Sequence, residues 1–256
     1  MKHFKILILA LFLFTSCSKK YIQVFQTQSN ILKLVEDSYV YENDTIRVSY
    51  NLWAEKGALH FQIENKLEVP LYVNWANSSV ELNNQKFIYA SEFNNTKQNQ
   101  FLSEGKLSAT DGTTFVIPLK EKLSELQPHA QLDCFQFVLF PESYFEMKEY
   151  GAFDNYLEGS AAKFETLYQE DFSSENTAIK IKNCISVSLS KETNNKLIEH
   201  FIYVSSIKEM TEKYFKGKYD SKTKRYCFPY KNPTSFYRII PAKFSLDYKN
   251  KSMKRK

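Results

Sequence analysis

Ile179-Lys180-Ile181-Lys182-Asn183-Cys184-Ile185-Ser186-Val187-Ser188-Leu189 is the stretch whose reading decides the fold. Ile179, Ile181, Ile185, Val187 and Leu189 share one parity; Lys180, Lys182, Ser186 and Ser188 share the other. Successive side chains point to opposite faces of a strand, so this spacing predicts one dry and one wet face, the antiparallel condition. Asn183 falls on the apolar parity and predicts a bulge or a join between two strands. Cys184 falls on the polar parity.

The same period recurs outward from this segment. Ile46, Val48, Tyr50 and Leu52 alternate with Arg47, Ser49 and Asn51, and Leu59, Phe61 and Ile63 alternate with His60, Gln62 and Glu64. Leu71, Val73 and Trp75 share a face, as do Phe135, Phe137 and Leu139. Glu55-Lys56-Gly57 and Glu64-Asn65-Lys66 separate successive strands at hairpin spacing. Several short strands so spaced predict a mainly β fold, an antiparallel β-sandwich. One short helix is expected near the C-terminus, with Ser206-Ile207-Lys208-Glu209 as a capping box, Met210, Tyr214 and Phe215 at helical spacing, and Gly217 as the stop. Residues 142–176 read as an irregular insertion with a helical piece around 161–168, and 94–108 as a polar loop. The body, 17–248, reads as one domain with a possible sub-boundary near 120–128.

The ends of the chain carry an address. Lys2 and Lys5 precede an apolar run of nine residues, 6–14, and then the small pair Thr15-Ser16. That order predicts a secretory signal peptide over 1–16. A run of nine is about half of the roughly 20 residues a membrane-spanning helix needs. Phe14-Thr15-Ser16-Cys17 resembles the lipobox of bacterial lipoproteins, which implies cleavage before Cys17 and lipid on its thiol. Ser18-Lys19-Lys20 follows, and the first acid after Cys17 is Glu36. Surface-exported lipoproteins of Bacteroidetes-type bacteria often carry acids there, so a periplasm-facing protein is expected. The C-terminal residues 249–256 form a basic tail. The chain's net charge of +5 becomes +3 without Lys2 and Lys5, and −2 without the tail's five basic residues. Positive charge is thus assigned to the tail, and a nucleic-acid partner is not expected.

Catalytic signals are sparse. Cys134, Cys184 and Cys227 match no compact metal motif; they read as one disulfide and a leftover thiol, or as three buried thiols. His60, His129 and His200 show no i, i+2 or i, i+4 pairing, so no metal site is expected. Cys134 or Cys184 with His200 is the one nucleophile–base pairing the sequence offers. Glu142, Glu146 and Glu149, and Glu170 with Asp171, are the carboxylate groupings. No G-x-G-x-x-G, P-loop or G-x-S-x-G is present, so no cofactor is expected. The candidate ligand contacts are two aromatics on wet parities, Trp53 and Tyr72, which suit stacking on a glycan or gripping a partner.

Three stretches carry a wider resemblance: 50–57 (Tyr50-Asn51-Leu52-Trp53-Ala54-Glu55-Lys56-Gly57), 61–66 with 70–75, and Phe201-Ile202-Tyr203-Val204-Ser205 with Pro233-Thr234-Ser235-Phe236-Tyr237. Together they resemble a group of uncharacterised Bacteroidetes-type lipoproteins. The strand-turn-strand around Asn65-Lys66 also resembles immunoglobulin-like envelope modules. The resemblance implies location and fold and supplies no catalytic residue. The functional expectation is a non-catalytic, membrane-anchored envelope lipoprotein that binds or assembles with an envelope protein. A polysaccharide- or peptidoglycan-binding module is the alternative, and a hydrolase of envelope polymers a third.

Overall fold

The computed structural model describes residues 20–90, 122–139, 145–147, 151–153, 167–191 and 195–240. The leader, Cys17, the stretch 94–108, residues 161–166 and the tail lie outside the described residues.

β1 (Tyr21–Gln28) has apolar residues on both parities, and both of its faces are covered. β2 (Lys33–Val35) and β3 (Ser38–Glu42) form a hairpin through Glu36 and Asp37, at φ 48° and 64°. Two positive φ values in a two-residue loop make a type I′ turn, whose twist suits the flanking strands. β4 (Ile46–Asn51) and β5 (Ala58–Asn65) alternate buried with half-buried residues as the sequence predicts. Lys56 and Gly57, both at φ 69°, turn the chain between them. A Cβ on Gly57 would meet Phe236 Cγ at 2.8 Å. Gly57→Ala is therefore expected to cost about 2 kcal/mol, from left-handed strain plus overpacking. A urea midpoint unchanged in the variant would show that the approach is not tight.

Beyond β5 the chain changes sheets. Contrary to the sequence reading, Glu64-Asn65-Lys66 is no hairpin; it opens a corner that carries the chain to β6 (Leu71–Asn74), in the other sheet. Asn65 builds the corner. Fully buried, its Nδ2 donates to the carbonyls of Val69, Leu126 and Gln127 (2.9, 3.1 and 3.1 Å), and its Oδ1 accepts from Leu67 N (3.0 Å). β7 (Ser79–Leu82) and β8 (Gln85–Ile88) form a second hairpin through Asn83 and Asn84, again both at positive φ. β9 (Leu123–Leu126) pairs with β6, and β10 (Gln131–Val138) returns to pair with β5. The smaller sheet thus has the order β10-β5-β4-β3-β2.

β11 (Gly151–Phe153) and β12 (Leu167–Asp171) are strands within the segment read as irregular, so the expected helical piece does not include Leu167 or Tyr168. β13 (Lys180–Ser188) pairs without a break along β14 (Lys196–Thr211), the 16-residue spine of the larger sheet. Asn183 marks neither bulge nor join. It points inward and is fully buried, because two phenols satisfy its amide. Leu189, just past β13, is 62% exposed rather than on the dry face. Ser206 to Glu209 are strand, not capping box: β1 lies along one side of them and β12 along the other, and this pairing overrides the local signal. The helix, α1 (Glu212–Lys216), starts after Thr211 and stops at Gly217 as expected. β15 (Tyr219–Asp220) and β16 (Arg225–Tyr226) make a small exposed hairpin, and β17 (Ser235–Ile240) closes on β1.

The two antiparallel sheets pack face to face as a mainly β sandwich. One core joins their inner faces, including Ile46, Val48 and Ile63 from the smaller sheet and Ile181, Ile202 and Phe236 from the larger. Phe25 stacks on Phe236 with ring centroids 4.7 Å apart, and Trp75 meets Tyr89 edge-on at 5.6 Å. A second apolar cluster backs the larger sheet: Ile22, Val24, Met210, Tyr214 and Phe215, with Trp53, Tyr237 and Ile239 against them. α1 thus covers the outer face of β1.

Candidate functional site

The two candidate contact aromatics do not form one surface. Trp53 is half-buried in the second cluster, stacked near Phe215 (6.0 Å, 14°) and tilted against Tyr237 (5.1 Å). Tyr72, on β6, pairs with Ser188 at the end of β13, with Lys191 Nζ 5.7 Å above its ring. Ser188 lies by the start of β14, whereas Phe215 follows the end of β14. Tyr72 and Trp53 therefore sit toward opposite ends of the larger sheet.

The three cysteines among the described residues are free thiols: Cys134 and Cys184 are buried, and Cys227 is exposed, a departure from the reading of three buried thiols. Cys184 and His200 do not meet. Cys184 pairs across strands with Glu199, whose Oε1 lies 3.7 Å from its Sγ, while His200, the next residue, points to the opposite face. Burial pushes the Cys134 thiol up to about 12, which leaves it protonated at neutral pH and not a nucleophile. Glu170 and Asp171 are neighbours on β12 and likewise face opposite ways. His60 Nε2 pairs with Asp133 at 2.7 Å, and His129 Nε2 with Glu68 at 3.2 Å, both at the surface. Among the described residues no group of three or more His, Cys, Asp and Glu side chains could hold a metal ion.

A buried polar chain crosses the sandwich instead. Tyr89 Oη donates to Asn183 Oδ1 (2.7 Å), Asn183 Nδ2 donates to Tyr50 Oη (2.9 Å), and Tyr50 Oη lies 2.5 Å from His200 Nδ1. Since the Tyr50 oxygen accepts from Asn183, its own hydrogen goes to His200 Nδ1. The imidazole is then neutral with its proton on Nε2, which has no acceptor among the described residues. Burial lowers the pKa of His200 to about 4 and raises those of Tyr50 and Tyr89. The chain links β4 to β13 and β14, so its geometry registers one sheet on the other.

The sequence reading missed a cluster at the N-terminal end of β1. Residues 212–232 hold seven basic residues against two acidic, a local net charge of +5. They comprise α1, the β15–β16 hairpin and the segment to Asn232, and 218–227 are exposed throughout. The positive charge is therefore not confined to the tail. The signal was present as Lys/Arg interleaved with Tyr219, Tyr226, Phe228 and Tyr230, but averaging charge over the whole body hid it.

No family model, curated protein or solved structure matches the chain. Among the described residues no helix is long and apolar enough to cross a membrane.

Proposed function

We propose that this chain is an envelope lipoprotein, acylated at Cys17, whose non-catalytic β-sandwich faces the periplasm and offers one sheet edge to a protein partner. The observation that carries the partner half of the reading is the β2 edge. Ile31, Leu34 and Val35 are 53%, 61% and 39% exposed within five residues, and among the described residues no strand pairs with the outer side of β2. An open edge flanked by apolar side chains is a template for strand addition by another chain. The edge follows the far end of β1, so an anchor upstream of Lys20 would leave it pointing toward solvent. Trp53, packed among Phe215 and Tyr237, gives less support to a glycan platform.

Two measurements test the reading separately. Labelled acyl chains are expected to enter the parent protein and to be lost in Cys17→Ala; undiminished labelling would sink the anchor. Photo-crosslinking from position 34 in intact cells is expected to give a discrete envelope adduct that weakens at least tenfold in Val35→Lys. An adduct unaffected by that change would sink the edge.

A further inference from the structure

Three strand ends meet where the tether would enter. Tyr21 opens β1 opposite Thr211, the last residue of β14, and opposite Ile240, the last of β17. Glu212 N donates to Lys20 O at 3.0 Å, so α1 and the hairpin beyond it begin beside the first described residue. Cys17 stands three residues before Lys20. An extended chain spans at most about 3.6 Å per residue, so Cys17 and Lys20 are no more than about 11 Å apart.

Within residues 212–232 two acids stand against seven basic residues. Glu212 is matched by Lys216 at 2.8 Å, and Asp220 accepts from its own turn, from Lys222 N at 2.9 Å and Thr223 Oγ1 at 2.8 Å. The remaining basic residues include Lys213, Lys222, Lys224 and Arg225, all exposed. Tyr219 and Tyr226 face one another across the hairpin with ring centroids 5.0 Å apart, and both are largely exposed. Tyrosine rings, apolar in body and polar at the tip, suit the headgroup level of a bilayer.

We infer that the α1–β16 segment is a second membrane contact, resting on anionic phospholipid headgroups of the leaflet to which Cys17 is tied. The inference rests on the reading of Cys17 as acylated. Basic side chains gain from such a surface only within a Debye length, about 8–10 Å. A tether of at most about 11 Å, ending at the residue to which Glu212 is hydrogen-bonded, keeps the start of this segment near the leaflet and lets the hairpin settle onto it. Lipid alone would leave the body free to swing; a charged second foot fixes its orientation and turns the β2 edge outward.

The test uses the full chain with Cys17→Ser, so that no acyl group contributes, and vesicles of phosphatidylglycerol with phosphatidylcholine or of phosphatidylcholine alone. Each basic residue at an anionic surface multiplies partitioning roughly fivefold, so replacing Lys222, Lys224 and Arg225 by Gln is expected to lower binding to the anionic vesicles on the order of a hundredfold. The charge-keeping pair Lys222→Arg and Lys224→Arg is expected to bind like the parent. Gln at Lys33, Lys86 and Lys196, away from this end, is expected to change binding less than threefold. The leader's apolar run is common to every arm. Equal binding to both vesicle types would overturn the inference. So would equal losses in the two Gln sets, or hairpin-dependent capture of soluble heparin without vesicle binding. A chain that shows the vesicle effect yet takes no acyl label at Cys17 keeps the headgroup contact and loses the tether.

Discussion

Asn65→Ala is expected to destabilise the protein by about 3 kcal/mol, because the buried Leu126 carbonyl and three partly buried groups lose their partner at once, and an unsatisfied buried group costs about 1–3 kcal/mol. Three carbonyls, those of Val69, Leu126 and Gln127, share the two amide hydrogens, and Leu67 N–H uses the amide oxygen. The Asn65 side chain itself is fully buried. Asn65→Asp sharpens the test. Aspartate keeps the shape and the bond from Leu67, but its carboxylate would aim acceptors at three acceptors, so it is expected to be at least as damaging as alanine. Urea unfolding of both variants measures this. A loss below about 1 kcal/mol in either would show that the corner does not depend on this amide.

The second large effect is a pH dependence centred on His200. The unfolded imidazole binds a proton near 6.5, whereas the folded one resists it until about 4. The folded pKa is depressed, so the unfolded chain holds more protons between these values. Stability is therefore complete above pH 6.5 and falls as the pH drops toward 4. One pKa unit corresponds to about 1.4 kcal/mol, so the loss across this window is on the order of 3 kcal/mol. Glu42, Glu199 and Glu212 also have lowered pKa values, each held down by a lysine, and contribute a loss of the same sign. They are exposed, and their share persists in His200→Gln, so the difference between parent and variant isolates the histidine. Unfolding free energies at several pH values between 4 and 8 should show a slope approaching one proton that the variant lacks. Parallel curves would mean that the imidazole is hydrated in the folded state.

Strands were legible in the sequence because alternation is a local property, and Ile46 to Leu52 and Leu59 to Ile63 report it residue by residue. Sheet membership was not. Nothing between Glu64 and Pro70 distinguishes a hairpin from a corner, since the choice depends on carbonyls of Leu126 and Gln127 some sixty residues away. Asn183 was misread for a related reason: a polar residue on a dry parity looks like a break until Tyr50 and Tyr89 arrive from other strands. Ser206 to Glu209 satisfy a helical capping pattern that pairing with β1 and β12 overrules. At the candidate site, Trp53 had the parity of an exposed residue, and only the return of α1 and β17 covers it.

The arrangement of β1 has a mechanical consequence. Any pull on the chain upstream of Lys20 runs along β1, which is registered at eight positions with β14 on one side and at six with β17 on the other. Both ladders would be loaded in shear, so their bonds must slip together rather than unzip singly. Drag on a bound partner would thus meet the sandwich in its stiffest direction.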